Sequence, residues 1–259
     1  MLYLLSPAKT LDYDTRVPAP VLKRATDPQF LPQAAALIAA LRTKTPADVA
    51  ALMDLSPALA ELNTSRYQAW APAHTLANSK PAVLAFDGDV YGGLQATTLN
   101  TADLAWAQDH LVLLSGLYGA LRPLDRLQPY RLEMGTALAT PQGRDLYAFW
   151  GDTVAQHLND RLATARSKVV VNLASVEYAR AALRPALQAR VVDCVFEDWK
   201  DGQYKIISFF AKRARGLLAR WAVQQRVHAP GRLAQFQAEG YALDAAVSQP
   251  DRLVFRRRA

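Results

Sequence analysis

Short apolar runs alternate with longer amphipathic stretches along most of this chain. "LYLLS", "AVLAF", "LVLLS" and "VVVNLA" are strand candidates, three of the strands being short continuous apolar runs, as expected for strands covered on both faces. "RVVDCVFEDW" and "QYKIISF" make a further pair, separated by "KDG", where Asp201-Gly202 suits the turn of a β-hairpin. Apolar residues at helical spacing predict helices near 28–42, 46–53, 57–70, 101–109, 146–164, 175–183, 209–227 and 231–237. The fold class read from this order is mixed α/β: one domain over 1–259, a central mixed sheet surrounded by helices. "RVPAPVLKRATDP" is a Pro-rich surface loop too short to link two domains, and no repeat interrupts the pattern.

Two of the amphipathic stretches carry more than packing information. In "SFFAKRARGLLARWAVQQR", Phe210, Ala214, Leu217, Leu218 and Trp221 form one apolar stripe. Lys212, Arg215 and Arg226 point the opposite way, and Arg213 and Arg220 share a flank. The helix thus shows five cations and no acid. A solvated face ordinarily mixes signs, because like charges one turn apart repel. Either an anion compensates this face or it is a plain surface helix. Lys205 adds a cation on the preceding strand, and Arg256 to Arg258 add three near the end. The second stretch, "VAALMDLSPALAELNTSRY", reads as two short helices joined by Asp54-Leu55-Ser56. Ser56 suits the cap of the second helix and Pro57 its first position. With Arg66 beyond it as a phosphate partner, this is a degenerate helix-hairpin-helix near 46–70; an ordinary helical hairpin fits the pattern equally well. The usual motif has glycines where Asp54 and Ser56 stand.

Composition then narrows the classes. The chain has 259 residues, 51% of them hydrophobic, enough for one large core. No apolar run is long enough to span a bilayer, and the start lacks the basic leader of a secretion signal, so no membrane partner is expected. Cys194 is the single cysteine, which excludes an internal disulfide and fits a cytoplasmic location. Alternation puts it on one face with Val192 and Phe196, buried in the sheet's packing. Four scattered histidines and no zinc-ligand spacing give no support for a metal site, and no cofactor is predicted, although a carboxylate site for iron stays open. The formal charge of +7 favours polyanionic partners.

The remaining chemistry gathers at strand ends, where ligands of α/β sheets collect. "SPAKT" delivers Ser6, Lys9 and Thr10 after the first strand, and "FDGDVYGG" delivers Asp87 and Asp89 after another. "SGLYGALRPLDRLQPYR" follows a third. There Gly119 allows a tight turn, Arg122, Arg126 and Arg131 suit phosphate, and Tyr118 and Tyr130 suit stacking. Asp125 and Glu133 offer the alternative that these arginines form structural ion pairs.

Together "LLSPAKTLD", "FDGDVYGGL", "LSGLYGALRPLDRLQPYRLEMGT", "FWGD", "VNLASVEY" and "KIISFFAKRARGLLARW" resemble, in order and along essentially the whole chain, the YaaA-type peroxide-stress protein family. The resemblance implies a cytoplasmic bacterial protein tied to hydrogen-peroxide resistance, with a fold particular to the family. It also implies binding to double-stranded and branched DNA through a basic cleft plus a helix-hairpin-helix element; it implies no catalytic reaction. The candidate DNA-binding residues are Lys9, Ser56, Arg66, Tyr118, Arg122, Arg126, Tyr130, Arg131, Lys205, Lys212, Arg213 and Arg215. The competing expectation is an enzyme acting on a nucleotide or nucleic acid, with its site around Lys9, Asp87 and Tyr118.

Overall fold

Nine strands form the main sheet of the computed structural model, which describes residues 1–258. They are β1 (Leu2–Leu5), β2 (Leu111–Ser115), β3 (Gly119–Leu121), β4 (Val169–Leu173), β5 (Arg190–Lys200), β6 (Gln203–Lys205), β7 (Gln237–Ala238), β8 (Tyr241–Leu243) and β9 (Arg252–Arg257). Their spatial order is β7-β8-β9-β5-β4-β1-β2-β3, with β6 folded back on β5. The inner five, β9-β5-β4-β1-β2, are all parallel. Every residue of β1 and β2 is buried, which is why these strands read as unbroken apolar runs. The β5–β6 hairpin turns at Asp201 (φ 54°) and Gly202 (φ 81°), the double positive-φ turn that Asp-Gly favours.

The helices are α1 (Leu31–Arg42), α2 (Pro46–Met53), α3 (Pro57–Ala69), α4 (Asp89–Leu94), α5 (Thr101–His110), α6 (Leu146–Trp150), α7 (Thr153–Leu162), α8 (Val176–Ala182) and α9 (Ser208–Gln224), with single turns elsewhere. Three expectations need correction. "AVLAF" is not a strand: Ala82–Ala85 forms one helical turn, and Phe86–Asp87 makes a short antiparallel ladder with Thr10–Leu11. All four residues of that turn are buried, and a short buried run looks the same in either conformation. The helix expected over 146–164 is broken at Gly151, whose φ of 46° ends α6 before α7 begins. The stretch 231–237 is a 3₁₀ segment, Pro230–Gln235, running into β7.

The largest departure concerns α9. It is packed on two sides rather than one, with Ala211, Ala214, Leu218, Ala219, Ala222 and Val223 all buried. One side lies on β5 and the other meets α4 backbone to backbone. A Cβ on Gly216 would stand 1.8 Å from the Val90 carbonyl oxygen, and one on Gly93 2.2 Å from that of Arg213. Only glycine at both places allows the two helices to cross so closely. Three of the five cations are consumed by this packing. Arg213 donates to Glu239 (2.8 Å) and to the Gly92 carbonyl (3.2 Å). Arg220 donates to the carbonyls of Leu94 and Gln95, closing the C-terminus of α4, and Arg226 pairs with Asp103 at 2.8 Å.

Candidate functional site

β1 runs on toward β2 on one side of the sheet, and β4 runs on toward β5 on the other. The carboxyl ends of β1 and β4 therefore flank the topological switch point of the parallel strands, where open α/β sheets form their ligand crevice. A pocket of about 350 Å³ lies there, and residues from five segments wall it. Ser6 to Thr10 follow β1; Asp87 to Tyr91 enter α4; Tyr130 to Glu133 come from the segment after β3; Ser175, Glu177 and Tyr178 follow β4; Lys212 and Arg215 come from α9.

Local bonds fix these walls. The Ser175 N–H donates to Ser6 Oγ (2.8 Å), and the Tyr91 hydroxyl donates to the Ser6 carbonyl (3.1 Å), tying the two strand ends and α4 together. The Thr10–Asp87 ladder sets Lys9 beside Asp87. Glu133 takes Lys9 (2.8 Å) and Arg131 (2.8 Å) together. Burial alone would raise its pKa, but these hydrogen bonds outweigh burial and hold the carboxyl below its ordinary range. Glu177 is held by the Gly135 N–H at 2.8 Å. Asp87, Asp89, Lys212 and Arg215 have no ion-pair partner among the described residues. Arg215 is half-buried, its Nε has no hydrogen-bond partner among the described residues, and loss of solvent lowers the pKa of the guanidinium. The pocket thus balances four acids against four bases, two of each already engaged with protein and two of each not. Among the described residues no three acidic, His or Cys side chains draw close enough to hold a metal ion.

Most of the other sequence-selected residues do not line this pocket. Tyr118 is fully buried; its hydroxyl accepts from Trp70 Nε1 (2.9 Å) and lies 3.1 Å from His74 Nε2, so it belongs to the core and not to a stacking surface. Tyr130 forms part of the pocket floor, with its hydroxyl on Ser115 at 2.6 Å. Arg122 is bound by the buried Asp125 (3.1 Å) and Arg126 by Asp27 (2.6 Å). Lys205 pairs with Asp201 at 2.6 Å. Gly119, with φ of 64°, sits against the Trp150 ring, 2.7 Å from where a Cβ would be. Near the other end, α2 and α3 form a helical hairpin. Asp54 takes the left-handed turn position (φ 50°), Ser56 Oγ accepts the Leu59 N–H, and Ala60 is fully buried at the crossing. Arg66 is half-buried and reaches Asn63 Oδ1 at 3.3 Å.

Of the pocket residues, Lys9, Asp87, Asp89, Tyr130, Arg131, Lys212 and Arg215 were singled out in the sequence, whereas Tyr91, Glu177 and Tyr178 were not. The available signal was "SVEY", a polar run directly after an apolar strand, the same arrangement that singled out "SPAKT".

A sequence model described as "Peroxide stress protein YaaA" matches residues 1–247. The chain belongs to that family. It is 65% identical over 257 residues to a UPF0246 protein of Leptothrix cholodnii, covering 99% of this chain and 98% of that protein. It is 60% identical over 259 residues to one of Bordetella petrii, covering all of both, and 61% identical over 258 residues to one of Albidiferax ferrireducens, covering 98% of it. The matched residues include β1, β4, α4 and α9 and every residue that lines the pocket. No helix among the described residues is long and apolar enough to cross a membrane.

Proposed function

We propose that the chain serves peroxide resistance by binding DNA, duplex or branched, with little sequence preference, and that the switch-point pocket is the anchor of that contact. One observation carries this reading: Lys212 and Arg215, one turn apart on α9, line the pocket without an acid partner among the described residues. Unpaired cations beside a crevice are suited to phosphate, and Arg binds two oxygens of it at once. The α2–α3 hairpin contributes the second and weaker contact through Ser56 and Arg66, since Asp54 stands exposed at its tip and repels a phosphate. Backbone contacts of this kind position nucleic acid without reading its bases. The test is fluorescence anisotropy with a labelled duplex across salt concentrations. Affinity should fall linearly in log–log form as counterions are released. Binding that is equal at about 50 and about 200 mM salt contradicts the proposal.

A second reading keeps its place on a different observation. Asp87 and Asp89 line the same pocket unpaired, and two free carboxylates repel a passing phosphate backbone but suit a small ligand that presents donors. On this reading the chain is an enzyme acting on a nucleotide, with Lys9, Asp87 and Asp89 in place of the Tyr118 expected there.

A further inference from the structure

The pocket has an internal polarity. Lys212 and Arg215 stand on one wall and Asp87 and Asp89 on another, none within ion-pair distance of an opposite charge among the described residues. Opposite charges that share a cavity without meeting leave a gap suited to a ligand with an anion at one end and donors at the other. The buried Arg215 Nε has no partner among the described residues, and a guanidinium desolvated without an anion is costly. Outside the pocket lining, Phe209 is 56% exposed and sits one turn before Lys212 on the same face of α9. An exposed ring beside a cation is a stacking platform for a base. The volume, about 350 Å³, is that of a small-ligand pocket and far too small for a duplex.

We propose that the pocket takes one nucleotide, with its phosphate on Lys212 and Arg215 and its donor-bearing end toward Asp87 and Asp89. The nucleotide is either a free nucleoside monophosphate or a single unstacked nucleotide of a strand; both present the same chemistry. The inference rests on the nucleic-acid reading above and narrows it from a backbone contact to an inserted unit. Taking a nucleotide out of a stack costs a few kcal/mol, least where it is already unpaired.

Calorimetric titration of the full chain with dAMP, with adenosine and inorganic phosphate as controls, tests this. A duplex carrying 2-aminopurine in a one-nucleotide bulge supplies the second arm. dAMP should bind more tightly than either fragment. Lys212→Ala should weaken it at least about tenfold, as expected for losing a charged hydrogen bond. Lys212 is exposed, so this variant tests the site even if Arg215→Gln fails to fold. A rise in 2-aminopurine fluorescence, reversed by dAMP, identifies a strand nucleotide as the occupant; dAMP binding with flat fluorescence identifies the free nucleotide. No dAMP binding at millimolar concentration, or dAMP binding indifferent to Lys212→Ala, overturns the inference. If duplex still binds in that case, the DNA reading survives alone. If dAMP binds while duplex does not, the DNA reading fails and the pocket assignment stands.

Discussion

The segment leaving β2 and the pocket wall of α9 look alike as strings: each crowds arginines among aromatic and apolar residues. In the fold they are opposites. At the β2 exit Arg122 and Arg126 are matched by Asp125 and Asp27, and Tyr118 is sealed in the core. On α9 the packing uses Arg213, Arg220 and Arg226, and leaves Lys212 and Arg215 facing a crevice without acids among the described residues. A count of cations does not separate the two regions. What separates them is whether an acid arrives from elsewhere in the chain, and that is decided by topology.

The contrast breaks hardest at the helix crossing. Gly216→Val should cost about 3 kcal/mol or more in chemical denaturation, because the Val90 carbonyl already occupies the space of the first added carbon. Gly92→Ala is the control, since its nearest neighbour lies 3.8 Å away at the tip of Arg213. It should be neutral or stabilise by up to about 1 kcal/mol, as alanine does in a helix. Equal losses from both variants would show that the crossing does not position α9.

A smaller effect distinguishes the two regions by pH. At the β2 exit, burial raises the Asp125 carboxyl, outweighing its hydrogen bonds from Thr26 and Arg122. The folded state then holds a proton that the unfolded chain has released, so this group's contribution falls as pH rises from the unfolded value, about 3.9, to the folded one. At the pocket, burial of Glu133 is outweighed by Lys9 and Arg131, and its folded pKa lies below the unfolded one. Its contribution is fully present above the unfolded value, about 4.3, and is lost as pH falls through the folded pKa. Asp125→Asn and Glu133→Gln should therefore change the acid limb of a thermal-midpoint profile in opposite directions. Shifts of the same sign would contradict the assigned environments.

Much of the frame was legible because its signals are local. The strands β1, β2, β4 and β5, the Asp201-Gly202 turn and the α2–α3 hairpin follow from residues within a few positions of one another. Cys194 is buried with Val192 and Phe196 as alternation requires, and burial raises its thiol pKa, which makes it a poor peroxide sensor. Lys9, Asp87 and Asp89 were legible as polar residues at strand ends. The fate of the cations was not. Arg126 meets an acid 99 residues away, and Arg213 meets Glu239 across a strand and a turn. Arg215 was assigned to solvent by its helical angle. The neighbouring Gly216 lets α4 close over that flank, turning a surface position into a pocket wall.

The most direct test of the account sets one cation from each region against the other. Lys212→Glu and Arg126→Glu make the same charge change, one at an exposed cation and one at a half-buried cation paired with Asp27, and the anisotropy of a labelled duplex can be followed with each at the same salt. Lys212→Glu should abolish binding while its thermal midpoint stays near that of the parent, and Arg126→Glu should bind nearly as the parent does. Loss of binding in Arg126→Glu with retention in Lys212→Glu would place the anion site at the β2 exit and contradict the account.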